Sequence, residues 1–540
     1  MSFVINADQL KDFKQDYANR QETRILERTV AKNGVKAASF DWHAIADNDQ
    51  HFSIDLATGD VADQKQSGRC WLFAALNTMR HNMQNRFNLP DDFELSQSYA
   101  FFWDKFEKAN WFYENIIQTA DLDIDDRKVA WLLDAPQSDG GQWDMLCALI
   151  EKYGVVPKSA QPETYNSSRS NEINAVLNNQ LRHDAVILRQ LVHEQASESQ
   201  INATRKEMLN TVYRMLAYAF GEPVQTFDFE YRTKKDKQFH RDSNLTPVAF
   251  FDKYVGWDLS EYVSIIQAPT KDKAYHKTYT IEMLGNVVGG RQVKHLNLSM
   301  TELKELAIKQ LQNGESVWFG SDVVKYSETK LGILALNTYG YEDLFDTKLT
   351  MNKADMLDYH QSMMDHAMVL TGVDLVDGKP AKWKVENSWG PKVGEKGYFV
   401  MSDEWMDQYV YQIVVNKNIS VMNSRLTRLK NQSSSNHGIQ WELWPNNDLI
   451  AAIKNSLSNQ AMSFCLFNVA IQELAGNIIN LLTPEVALMN GAPYPVGLNG
   501  DMMLFQLMIH VFHFMIWHGL VGIPVHQQKW RILLIILDLI

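Results

Sequence analysis

Between residues 315 and 415 the apolar pattern changes period, and that change limits the fold more than any other feature of the chain. "AKWKVEN" alternates strictly, so that Trp383, Val385 and Asn387 share one face of a strand while Lys382, Lys384 and Glu386 share the other. "ESVWFGSDV" and "HAMVLTGVDL" are short apolar runs of strand length, and "GEKGYFVMSDEWMDQYVYQIVVNK" reads as two further strands around a polar turn. The first 220 residues are different. "ADQLKDFKQDYANRQETRILERTVAKNG" predicts a helix stopped at its glycine, the run from Trp71 through Leu72, Leu76, Met79 and Met83 predicts a helix opening at or just after Cys70, and a long polar helical stretch covers roughly 171–220. Around Pro223 shorter strand-like pieces begin. Helices early and strands late predict an α+β protein of two packed lobes.

Net charge narrows the function. With 65 acidic and 52 basic residues the chain carries −13, and no K/R-rich arm offers the phosphate neutralisation that nucleic-acid binding needs. No nucleic-acid partner is expected. Cys70, Cys147 and Cys465 form neither a C-x-x-C pair nor an even framework, which suits a reducing compartment. "MSFVINADQLKDFKQDYANRQ" lacks the apolar core of a secretory signal, so the expected location is cytoplasmic. H-E-x-x-H, G-x-S-x-G, Walker and G-x-G-x-x-G patterns do not occur, and neither a metal nor another cofactor is implied.

Chemistry concentrates on "DQKQSGRCWLFAALNTMRHNM", residues 63–83. A thiol at a helix N-terminus meets backbone N–H groups and the positive end of the helix dipole, both of which favour the thiolate. Gly68 would let the backbone turn sharply into that helix. A small buried side chain is the competing reading of Cys70, and a nucleophile needs a base and a group that orients the base. "MMDHAMVLTGVDL" supplies His366 at the start of a strand, and "VENSWG", 21 residues on, ends the alternating strand with Asn387. An asparagine carbonyl can accept the imidazole N–H and aim the ring at sulfur.

"QKQSGRCWLFAALNT", "DHAMVLTGVDL" and "WKVENSWG" together resemble the papain-like cysteine peptidases, and among them the intracellular branch of bleomycin hydrolase and bacterial aminopeptidase C. The resemblance spans roughly residues 1–445 and implies a papain-like two-lobed fold, a helical lobe carrying the cysteine and a β-rich lobe carrying histidine and asparagine, with helical insertions. It implies Cys70 as nucleophile, His366 as base and then acid, and Asn387 as the orienting group. Gln64 matches the glutamine whose amide shares the oxyanion hole with the cysteine N–H. Trp389 matches the tryptophan that shields the asparagine–histidine hydrogen bond. Gly140 and Gly141, in "SDGGQWD", resemble the pair beside which substrate backbone lies as an added strand; an ordinary loop turn is the alternative. Cys147, within "WDMLCALIEKYG", reads as packing. The implied activity is removal of N-terminal residues from peptides through a Cys70 thioester, and the implied assembly is a homo-oligomer, a hexamer.

Past residue 446 the composition breaks: 451–540 holds seven charged side chains where the chain average would give about twenty. The expected division is therefore a peptidase over 1–445 and an apolar C-terminal extension over 446–540. In the resembling family the chain end lies in the cleft and its carboxylate meets the substrate amine. This chain runs on, which makes endopeptidase action on oligopeptides the alternative to aminopeptidase action. Residues 502–528 lack Asp, Glu, Lys and Arg and are long enough to span a membrane, but Gln506, Pro524 and four histidines argue against it. His510 and His513 lie one helical turn apart, spaced to share a metal, against the plainer reading of a packed helical appendage.

Overall fold

The computed structural model describes residues 3–20 and 22–419. The extension over 446–540, with Cys465, His510, His513 and the 502–528 segment, lies outside the described residues. Among the described residues no helix is long and apolar enough to cross a membrane.

The helix Cys70–Phe87 runs through the middle of the fold and is buried almost all round, including its polar Asn77, Arg80, His81 and Gln84. A helix with so little amphipathic character has neighbours on every side. On one side it meets the helical layer. There the helix Gln97–Gln118 packs against Asn171–His193, Glu198–Phe220 and Trp143–Tyr153 around Phe101, Phe102, Leu146, Leu149 and Leu216. Cys147 is wholly buried in that cluster, as its sequence context predicted, and burial pushes its thiol well up.

On the other side lies a mixed sheet. Its strands run in the order Thr278–Tyr279, His295–Asn297, Tyr262–Ile266, Val410–Asn416, Val317–Ser321, His366–Val376, Lys379–Glu386, Tyr398–Ser402, Ile333–Leu334 and Ser327–Glu328, with Ile54–Asp55 added against the His366 strand. The central strands alternate between two cores. Trp318, Ala367, Val369 and Val414 face the helical layer, while Val317, Phe319, Met368, Leu370, Ile413 and Val415 face a second core closed by the helix Met300–Gln312. Burial on both faces is the reason "HAMVLTGVDL" reads as an unbroken apolar run.

Three expectations change in detail. The N-terminal helix is two helices, Ala7–Asn19 and Thr23–Asn33, the second ended by Gly34 at φ 79°. The stretch over 171–220 breaks after His193, where Gln195 takes φ 55° and Ser197 with Gln200 forms a capping box that starts the second helix. The polar turn in "VMSDEWMDQYVYQ" is a seven-residue helix, Asp403–Tyr409, capped by the Ser402 hydroxyl, which accepts from Trp405 N–H at 3.2 Å. Trp405 and Met406 on that helix are buried in the second core.

Candidate active site

The loop before the central helix is tied down at every step. Asp63 accepts the Lys65 N–H at 2.9 Å, closing an Asx turn that leaves Lys65 at φ 54°. Ser67 donates its hydroxyl to the Gln64 carbonyl at 2.7 Å and accepts from Arg69 Nε at 2.8 Å. Arg69 is wholly buried and bidentate to Glu163, at 2.9 and 2.8 Å, between the rings of Phe73 and Phe101. Cys70 is the first residue of the helix, half-buried against the apolar cluster that includes Ala367, the residue after His366. Helix and His366 strand pack together, and Trp318 on the neighbouring strand donates its indole N–H to the Trp71 carbonyl at 3.2 Å.

His366 opens its strand opposite Ser321, and its Nε2 lies 2.8 Å from Asn387 Oδ1. With Nε2–H donated to that carbonyl, Nδ1 is the nitrogen left to take a proton. Both side chains are buried, and the Trp389 ring stands over the imidazole with centroids 4.8 Å apart. Burial lowers the His366 pKa, a shift that the Asn387 hydrogen bond and the nearby Asp365 charge oppose without reversing. A base kept neutral and aimed in this way is able to accept a thiol proton.

Gln64 reaches this pair through Ser388. The Ser388 hydroxyl donates to Gln64 Oε1 at 2.6 Å, while Ser388 N–H donates to Asn387 Oδ1 at 2.7 Å and Gln64 N–H to the Ser388 carbonyl at 2.8 Å. Because Oε1 accepts, the Gln64 amide is turned with its Nε2 donors the other way; one is held by the Ser67 carbonyl at 2.7 Å. The segments lock again where Gly390, at φ 76°, donates its N–H to the Ala62 carbonyl at 3.1 Å. A Cβ there would lie 2.7 Å from Asp63 Oδ2, so only glycine fits.

Gly140 and Gly141 differ. A Cβ on Gly141 would stand 2.6 Å from the Trp71 ring, whereas one on Gly140 would meet nothing within 4 Å, so Gly140 presents open backbone. Gly68 is also explained differently from the expected sharp turn. It has no left-handed φ; a side chain there would press on Asp139 Cβ at 2.8 Å. Close approach, not backbone freedom, demands that glycine.

The structure thus joins His366, Asn387 and Gln64, through Ser388, in one hydrogen-bonded set with the Trp389 ring against the imidazole, and places Cys70 at the head of the helix packed against it. Among the described residues no group of three or more His, Cys, Asp or Glu is placed to hold a metal. Sequence reasoning passed over Ser388, Arg69 and Glu386. Glu386 shares a strand face with Lys382 and Lys384, yet it is buried, with Oε1 accepting from Arg80 at 2.8 Å and Asn77 at 3.0 Å, and His81 Nε2 lies 2.9 Å from its other oxygen. Arg80 and His81, polar residues within an apolar helical run, were the visible signal that some buried anion awaited them.

Comparison with known proteins gives a consistent picture. The model of the Peptidase C1-like family matches residues 4–444. Aminopeptidase C of Lactobacillus helveticus is 56% identical over 419 residues, covering 78% of this chain and 93% of that protein. Aminopeptidase C of Lactobacillus delbrueckii subsp. lactis is 54% identical over 417 residues, 77% of this chain and 92% of that one. The crystal structure of PepW from Lactobacillus rhamnosis is 58% identical, with a TM-score of 0.78 over 80% of this chain and 97% of that chain.

Proposed function

The chain belongs to the Peptidase C1-like family of papain-like cysteine peptidases, and from that membership and the site's geometry we propose an aminopeptidase that works through a Cys70 thioester. The observation that carries the residue roles is the hydrogen bond from His366 Nε2 to Asn387 Oδ1, which leaves Nδ1 to serve the thiol. His366 takes the Cys70 proton as sulfur attacks the scissile carbonyl carbon. The C–S bond forms, and the carbonyl oxygen gathers charge against the Cys70 N–H and the Gln64 Nε2–H. Donors aimed at a developing oxyanion lower the barrier by a few kcal/mol, about a hundredfold or more in rate. His366 then protonates the leaving amine as the C–N bond breaks. Water attacks the thioester, gives its proton to His366, and the acid departs as Cys70 is re-formed. Trp389 keeps water from the histidine–asparagine bond, and Gly140 with Gly141 offers backbone for the substrate chain.

That both Lactobacillus relatives are aminopeptidases C supports the aminopeptidase reading. We place the peptidase domain at 1–445, in keeping with the family match over 4–444, and treat 446–540 as an appendage to it. A cytoplasmic location accords with Cys70 and Cys147 forming no disulfide. Homo-oligomerisation, in the hexameric form the family resemblance implies, accords with the Ala7–Asn19 helix, which buries none of its residues, and with the exposed Phe3, Val4, Ile5, Leu10 and Phe13 around it.

The test compares a peptide with a free amino terminus against its N-acetylated twin, using the full chain, Cys70→Ala and a truncation near residue 450. Cleavage of the free amine alone, abolished by Cys70→Ala, is the expected result. Internal cleavage of both peptides would replace the aminopeptidase reading with endopeptidase action. Hydrolysis that survives Cys70→Ala would overturn the nucleophile.

A further inference from the structure

Two segments meet beside Cys70, and one carboxylate touches both. Asp139 Oδ2 accepts the Gly68 N–H at 2.9 Å and the Ser170 hydroxyl at 2.5 Å. Its Oδ1 accepts from Asn174 Nδ2 at 2.7 Å and lies 2.9 Å from Lys105 Nζ. Its main-chain carbonyl accepts the Trp71 indole N–H at 2.7 Å. The carbonyls on either side are held as well. Lys105 and Lys108 donate to the Ser138 carbonyl at 3.1 and 2.9 Å, and Lys108 to that of Gly140 at 2.6 Å. Both lysines are buried, and Lys108 Nζ lies 2.7 Å from Asp104.

Burial works against ionisation of Asp139, but the Lys105 charge, the Ser170 hydroxyl and the Gly68 N–H outweigh it and hold the carboxyl far below the usual range. All four groups around the two oxygens come as donors. Only an anion with two accepting oxygens satisfies that set; an amide of the same shape would turn an NH2 toward N–H groups. The segments also interlock sterically, Gly68 against Asp139 and Gly141 against Trp71.

We propose that Asp139 is a positioning residue that fixes the Gly68–Cys70 turn against the Gly140–Gly141 backbone, so that thiol and substrate strand are set by one buried anion. Asp139 acts through the Gly68 N–H and through the neighbouring carbonyls that Lys105 and Lys108 hold. The proposal rests on Cys70 and the glycine pair serving as proposed above.

The experiment uses the full chain with Asp139→Asn and, as a control for stability alone, Ser170→Ala, which leaves the Gly68 and Lys105 contacts in place. Alkylation of Cys70 by iodoacetamide at neutral pH is followed by peptide mass spectrometry, and kcat and KM are measured on an aminoacyl p-nitroanilide, each well below the variant's Tm. Asp139→Asn is expected to slow Cys70 alkylation about fivefold or more and to lower kcat/KM by roughly tenfold to a hundredfold, since small misplacements of reacting groups cost that much. Ser170→Ala should stay within about threefold on both readouts. Wild-type rates in a folded Asp139→Asn variant overturn the proposal, as do equal losses in the two variants that follow Tm. Should Asp139→Asn not fold, Lys108→Met takes its place: it frees the Gly140 carbonyl and should raise KM, and an unchanged KM counts against the proposal. Hydrolysis that persists in Cys70→Ala would instead defeat the nucleophile assignment on which the proposal stands.

Discussion

Two buried charge clusters sit along the same helix, and they do different work. Near its first turn, Asp139, Lys105 and Lys108 join loops within the helical lobe, and several of their contacts end on backbone: Gly68 N–H and the carbonyls of Ser138 and Gly140. Farther along, Asn77, Arg80 and His81 grip Glu386, the residue before Asn387, and so tie the helix to the sheet. Arg80 also reaches the Asp60 carbonyl at 2.7 Å, and His81 Nδ1 lies 2.9 Å from the Ser316 hydroxyl. One cluster lies beside the Gly68–Cys70 turn and the Gly140–Gly141 backbone; the other joins the helix that opens with Cys70 to the strand that leads to Asn387. In both clusters buried, hydrogen-bonded charge joins segments that are distant in sequence, and such satisfied networks rigidify the elements they connect.

The difference implies that the second cluster matters more to folding. Glu386 is held ionised, its Arg80 and His81 neighbours overcoming the cost of its burial. Glu386→Ala leaves the Arg80 charge buried without an anion, and the expected loss is about 3–5 kcal/mol by denaturant unfolding. The double variant Glu386→Met with Arg80→Met should recover a large part of it. A loss no greater than that of Asp139→Asn would erase the contrast between the two clusters.

His295 sharpens the point from the opposite side, as a buried histidine whose partner is a hydroxyl, Ser264 Oγ at 2.7 Å, and not a charge. Burial pulls its pKa down to about 4. In the folded protein the ring therefore stays neutral while the unfolded chain takes up a proton below about 6.5. The unfolded state binds more protons in that window, so stability rises with pH: the contribution is complete above about 6.5 and is lost as pH falls toward 4, up to about 3 kcal/mol. His295→Gln should flatten that limb of stability against pH, and an unaltered slope would show that other groups dominate it.

The glycine pair tests the steric half of the first cluster. Gly141→Ala must displace the Trp71 ring and should cost about 1–3 kcal/mol, with a fall in activity from the shifted helix start. Gly140→Ala meets only open space and should leave Tm unchanged while raising KM. Equal effects on Tm would show that the loop yields as a unit.

Much of this was legible beforehand, and for physical reasons. Strand alternation at "AKWKVEN" and the double-sided burial of "HAMVLTGVDL" leave strong local patterns, and Cys70, His366, Asn387, Gln64 and Trp389 stand in motifs whose resemblance to papain-like peptidases named them together. What stayed hidden depends on partners distant in sequence. Lys105 and Lys108 are buried only because Asp139 and the 138–140 carbonyls, some 30 residues on, are brought over them. Glu386 obeys the period-two pattern yet faces a buried arginine contributed by a helix some 300 residues earlier. The capping box at Ser197 was readable, but continuous helical periodicity on both sides masked it.

The smallest effect concerns Ser388, the link between the site's two halves. Its hydroxyl bonds Gln64 Oε1, and its N–H bonds the same Asn387 oxygen that holds His366. Ser388→Ala removes only the hydroxyl. The backbone bonds between the segments persist, so His366 and Asn387 should keep their places and Cys70 should alkylate at the wild-type rate. Gln64 loses the bond that fixes which way its amide is turned, a loss of about 1 kcal/mol in the orientation of the proposed oxyanion donor. The expected outcome is a fall in kcat of about fivefold, with KM and Tm little changed. A parallel fall in alkylation rate would place Ser388 with the Cys70–His366 pair instead, and would mean that the two halves of the site are not separable in the way the two charge clusters are.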